Sequence, residues 1–149
     1  MATVRRLCVP APPRYDDGRV SDTGSLGNAE RSAVADSLLQ ATILAEAVEH
    51  APFAFVVFDE FASPVACNLA AASILGLTRA ELLARSVDEL VVEGERMRRR
   101  FAAVVAGRRH KGTSTFVHAD GSLVEVGYRI GETQVGGMRF LCAVLWPLG

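Results

Sequence analysis

Along residues 34–48 apolar side chains return every three or four positions: Val34, Leu38, Ala41, Ala45 and Val48. That spacing puts them on one side of a helix. Leu39, Ile43 and Leu44 widen the stripe beyond a coiled-coil seam, so the pattern predicts a helix over residues 28–50 with a broad face that needs cover. Asn28, with Glu30 placed to favour the helix dipole, is the expected N-cap. After Pro52 the period changes. Phe53 to Phe58 is aromatic and β-branched, Asp59 to Pro64 has turn composition, and Val65 to Cys67 is extended again, which predicts a β-hairpin. Closely spaced start signals then predict three short helices: Asn68 before a helix ending at Gly76, Thr78 with Glu81, and Ser86 with Glu89. From Glu95 to Ala106 a longer helix is expected, with Met97, Phe101, Val104 and Val105 on one face and Gly107 at its stop. Its other face is arginine. Three strands close the chain: Thr113 to His118, Leu123 to Ile130, and Met138 to Trp146. Asp120-Gly121 is a tight-hairpin signal, and Gly136-Gly137 reads as a looser turn.

Helix, two strands, four helices and three strands fit an α+β domain with one five-stranded antiparallel sheet better than an alternating parallel fold. With 149 residues, half of them hydrophobic, the chain has material for one core. The proline, glycine and aspartate content of residues 1–27 predicts a flexible arm ahead of the helix at 28–50 and the domain at 51–149. A net charge of -1 argues against a broadly basic nucleic-acid binder. The longest apolar run, Phe140 to Leu148, is too short to span a bilayer and contains a proline. Pro10, Pro12 and Pro13 interrupt the apolar stretch after Arg5 and Arg6 before it reaches the length of a signal-peptide core, so a cytoplasmic location is expected. Cys8, Cys67 and Cys142 have neither disulfide-framework nor zinc-site spacing.

Four strings in this order resemble a PAS domain, a sensor module of bacterial signalling proteins: Ala51-Pro52-Phe53 entering a strand that ends at Asp59; Asn68-Leu69-Ala70-Ala71 followed by Leu75-Gly76-Leu77-Thr78-Arg79-Ala80-Glu81-Leu82-Leu83; Asp120-Gly121-Ser122; and the last apolar strand. The likeness runs from about Val48 to Leu148. It implies a five-stranded antiparallel sheet with helices over one face and a ligand cavity beneath them. Strand alternation sends Leu141, Ala143 and Leu145 to one face and Phe140, Cys142, Val144 and Trp146 to the other. By resemblance the first set lines the cavity, with Val56, Phe58, Phe116, Val126, Tyr128 and Ile130 from neighbouring strands and Met97 and Phe101 from the long helix. Phe140, Cys142 and Val144 then form the outer face, which the stripe of Val34, Leu38, Ala41, Ala45 and Val48 has the width to cover, and these two surfaces are the expected homodimer interface.

Departures from the family narrow the chemistry. The reactive-cysteine string of its light-sensing members is missing, which argues against flavin. The long helix carries no axial histidine, so haem would need another ligand; a ligand-free dimerisation module and a haem- or flavin-bearing redox or gas sensor are the alternative readings. Trp146-Pro147-Leu148 stands where Asp-Ile-Thr commonly leads into a signalling helix. With Tyr128, Thr115 and His118 as the polar groups expected near the cavity, a small apolar molecule such as a fatty acid is the favoured ligand, and a signalling protein a further partner. His50, His110 and His118 show no metal-ligand spacing, and no phosphate loop or nucleophile elbow is present, so a non-catalytic role is expected. Between Gly94 and Lys111, seven basic residues (Arg96, Arg98, Arg99, Arg100, Arg108, Arg109 and Lys111) face one acid, Glu95. The ordinary reading is a solvated helix face whose arginine stems cover apolar surface. Without aromatic interleaving it argues little for nucleic acid.

Overall fold

A computed structural model describes residues 25–108 and 110–149. The flexible arm expected over residues 1–27 lies almost wholly outside the described residues, as does Arg109. The chain divides into two compact units at Ser37/Leu38, and the domain is the unit from Leu38 to Gly149. Helix α1 runs from Ser25 to Glu49. Asn28 is therefore inside the helix and does not cap it. Strands β1 (Ala54–Phe58) and β2 (Pro64–Cys67) form the expected hairpin. Helices α2 (Leu69–Leu75) and α3 (Arg79–Leu83), a 3-10 turn (Val87–Glu89) and α4 (Gly94–Val105) follow. Strands β3 (Lys111–Val117), β4 (Leu123–Val135) and β5 (Met138–Pro147) complete an antiparallel sheet of order β2-β1-β5-β4-β3.

The start signals act locally as the sequence suggests. Asn68 accepts a hydrogen bond from Ala71 N at 3.1 Å, and Thr78 with Glu81 closes a full capping box. The pair Ser86 and Glu89 opens only a single 3-10 turn, because the chain must leave at Leu90 to pair beside β3, where Val92 N donates to Thr115 O and Val117 N to Leu90 O.

The two late turns exchange roles. Gly136 and Gly137, both with positive φ, make the two-residue turn between β4 and β5, a conformation that glycine adopts without a Cβ penalty. The Asp120-Gly121 segment instead makes a wider loop between Val117 and Leu123. Its aspartate carboxylate accepts from Ser122 N at 2.8 Å. Hydrogen bonds from Ser122, with a smaller contribution from His118, hold the Asp120 carboxyl down at about 2. The strands are still closed directly, by His118 N donating to Ser122 O at 2.8 Å, and the aspartate bond braces the three residues between them.

The core lies between α2, α3, α4 and the inner face of the sheet. Val56, Phe58, Phe116, Val126, Tyr128, Leu141, Ala143 and Leu145 from the strands meet Met97, Phe101 and Val104 from α4. Phe58 and Phe101 pack edge to face, with ring centroids 5.9 Å apart. Among the described residues Asn68 is the one buried polar side chain. Its Oδ1 accepts from Phe55 N as well as Ala71 N, and its Nδ2 donates to Val48 O at 2.7 Å and Phe53 O at 2.9 Å. One amide thus ties the end of α1, both sides of the first hairpin and the start of α2. Beside it, Arg79 pairs with Glu49 and fastens the same helix end to α3.

Replacing Asn68 with Ala strands two donors and two acceptors. The expected loss is about 3 kcal/mol, seen as a lower urea midpoint for the domain. An unchanged midpoint would show that water replaces the amide at no cost.

Candidate functional site

Two surfaces and one small void, partly open to the outside, meet the description of a site. The void lies between α4 and the inner face of the sheet and has a volume of about 30 Å³. Of the residues expected to line a cavity, Phe58, Met97, Phe101, Phe116, Tyr128, Ala143 and Leu145 surround it, with Ile130. Val56, Val126 and Leu141 do not. They are buried in the same core, packed where the side chains of neighbouring strands leave no gap. Two expected polar groups also lie elsewhere. Thr115 faces a separate groove, and the His118 ring rests against Gly76 at the end of α2.

Arg100 borders the void instead, a residue that sequence reasoning assigned to the solvated arginine face. A signal was available: Arg100 follows Met97 by one helical turn and immediately precedes Phe101, so it sits at the margin of the apolar face. Its guanidinium donates from Nη1 to Thr113 O at 3.0 Å. It also borders a groove of about 420 Å³ with Arg96, Glu93 and Thr113 to Thr115.

The rest of the basic segment is partly spent on local pairs. Arg98 holds Asp88 (Nε to Oδ2 2.8 Å), and Arg96 holds Glu93 at 2.9 Å. The side chains of Arg99 and Arg108 make no hydrogen bond or ion pair among the described residues. Burial raises the thiol pKa of Cys67, with Arg79 opposing the shift, and that of Cys142 as well, so both thiols are poorer nucleophiles than a solvated cysteine. Among the described residues no cluster of His, Cys, Asp and Glu could hold a metal. No described helix is long and apolar enough to cross a membrane.

The first surface is the outer face of the sheet. Register puts Phe55 opposite Val144, Val57 opposite Cys142, and Gly127 opposite Trp146, and side chains on this face are only partly covered. The expected residues Phe140, Cys142 and Val144 are all there. Trp146, 42% exposed, lies flat across Gly127, where a Cβ would come within 2.5 Å of the indole. The second surface is the stripe of α1. Within the domain unit Leu38, Leu39, Ile43 and Leu44 are 58–66% exposed, and Ala41 and Ala45 are also open. Val34, in the preceding unit, is exposed as well, whereas Val48 is half-buried beside the Asn68 cluster. The sequence pattern asks for cover on this stripe, and among the described residues it is exposed.

The chain belongs to the PAS family: the model of the PAS fold matches residues 42–144. No curated protein sequence matches. Among solved structures, the PAS domain of an HTR-like protein from Haloarcula marismortui is 20% identical with a TM-score of 0.65, covering 78% of this chain and 99% of that one. A PAS domain from Desulfitobacterium hafniense is 17% identical with a TM-score of 0.64, covering 67% of this chain and 96% of that one. A structure described as an RNA-binding light-oxygen-voltage receptor is 21% identical with a TM-score of 0.63, covering 74% of this chain and 34% of the other. These likenesses establish the fold. The protein is a PAS sensory domain, a module common in signalling proteins.

Gly127→Val should lift Trp146 off the sheet, because the added carbons occupy the indole's place. Since the chain has a single tryptophan, its fluorescence emission should shift to the red with little change in the far-ultraviolet circular dichroism. Emission at the original wavelength would mean that the indole does not rest on Gly127.

Proposed function

We propose that this PAS domain is a non-catalytic sensor that takes a small apolar ligand between α4 and the sheet and works as a homodimer. The observation that carries the ligand is the void itself. Close packing leaves few gaps larger than a water molecule, and this partly open one falls at the seam of α4 and the sheet with a lining that is almost entirely apolar. At about 30 Å³ it is a seed of a site, and an acyl chain must push α4 outward to enter. Met97 favours such movement because its unbranched thioether side chain repacks readily. Displacement of α4 and the inner sheet face would then be felt on the outer face, through strands whose two sides are both apolar.

Dimerisation is supported by the two uncovered surfaces. The stripe of α1 and the outer face around Phe140, Cys142, Val144 and Trp146 are both apolar, and a second copy presents each with its complement. A cytoplasmic setting and a signalling partner protein belong to this same reading. The second reading is a dimerisation module without a ligand, favoured by the small size of the void.

Leu38→Glu puts a charge on an exposed part of the stripe, so it should separate the dimer without unfolding the domain. Sedimentation should give a monomer, and Trp146 emission should move to the red. A dimer as tight as the parent's would remove the stripe from the interface. Ala143→Leu should fill the void at a stability cost of about 1 to 3 kcal/mol and abolish uptake of an apolar probe such as 1-octanol, followed by NMR titration of the Met97 methyl. Undiminished uptake would take Ala143 out of the site.

A further inference from the structure

Strand β3 lies at one edge of the sheet, and its outward side is only half occupied. Register with β4 turns the backbone groups of Gly112, Ser114 and Phe116 toward β4 and those of Thr113, Thr115 and Val117 away from it. Val117 N donates to Leu90 O and Thr115 O accepts from Val92 N, so the segment leading to α4 covers that end of the edge. It goes no further, because at Gly94 the chain turns into the helix. The N–H groups of Thr113 and Thr115 have no partner among the described residues, and Thr113 O accepts from Arg100 Nη1. Thr113, Ser114 and Thr115 form the floor of the groove of about 420 Å³.

The groove's two walls differ in chemistry. On the α4 side stand Arg96 and Arg100, one helical turn apart, with Arg99 beside them. On the other side stand Leu123 and Leu148, both exposed. We propose that the β3 edge docks an extended peptide in which acidic and aliphatic residues alternate. Its carbonyls accept from Thr113 N and Thr115 N as those of an added strand would. Period-two alternation then sends its carboxylates to Arg96 and Arg100 and its aliphatic side chains to Leu123 and Leu148. Of the groove's acids, Glu93 is held by Arg96, and Glu125, opposite Thr115 in register, stands on the wall away from the carboxylates. A second copy of this edge would bring arginine against arginine, and the groove has no aromatic ring on which a nucleic-acid base could stack. The edge gives the signalling partner of the proposed function a docking chemistry, and it needs neither a core ligand nor a dimer.

The blocked peptide Val-Asp-Val-Asp-Val, titrated into the full chain and followed by amide NMR, tests the edge. It should bind at least about fivefold more tightly than Val-Val-Val-Asp-Asp, which has the same charge without the alternation, and Arg100→Gln should weaken it about fivefold, the scale of one partly exposed charge pair. At saturation it should slow hydrogen exchange of the Thr113 and Thr115 amides at least about tenfold, a readout that charge attraction alone would not move. Unchanged exchange at both amides, or equal affinity for the two peptides, overturns the strand pairing. Affinity undiminished in Arg100→Gln and in Arg96→Gln overturns the acidic class. Binding of oligothymidylate at these arginines with no binding of the peptide assigns the face to a polyanion and also overturns the proposal. Each of these results leaves the apolar core ligand and the dimer standing.

Discussion

The fold is organised around the Asn68 carboxamide. Four hydrogen bonds of this one buried side chain join the last turn of α1, the entry into β1 and the first turn of α2 at the end of β2. A buried amide is tolerable only when its donors and acceptors are all matched, and here they are. Its position in the fold follows. The helix carrying the exposed stripe enters the domain through Val48 and Glu49, so its last turn is held to the same residues that start the inner helical layer.

Much of this architecture was legible in the sequence because it depends on local rules. The period-two alternation of β5 assigned Leu141, Ala143 and Leu145 to the core and Phe140, Cys142 and Val144 to the outer face, and register between strands agrees. The cap at Asn68 and the box at Thr78 and Glu81 are likewise contacts between residues three apart. What could not be read depends on distant partners. Asn68 has the composition of an ordinary helix cap, and its bonds to Val48 and Phe53 become visible only once the hairpin is folded. The Ser86 box shortens to a 3-10 turn for the same reason, since β3 captures the chain at Leu90.

The site divides along the same line. Sequence pattern found the aromatic and aliphatic lining, but it sorted α4 into an apolar face and an arginine face and so missed Arg100 at their boundary. It also placed Val56, Val126 and Leu141 around a cavity when they fill the core beside it. Membership of a face is a two-residue property, whereas a void is what is left after every side chain has found its neighbours. The outer sheet face and the α1 stripe show the converse. Each is expected to need cover from its apolar pattern alone, and among the described residues the stripe is exposed and the sheet face only partly covered. The proposed account joins an inner seam that would admit an apolar molecule with outer surfaces that would meet a second copy.

Native mass spectrometry of the full chain, repeated after denaturation, tests that account most directly. It predicts a dimer that releases a stoichiometric small apolar molecule when unfolded. A monomer that releases nothing would contradict it.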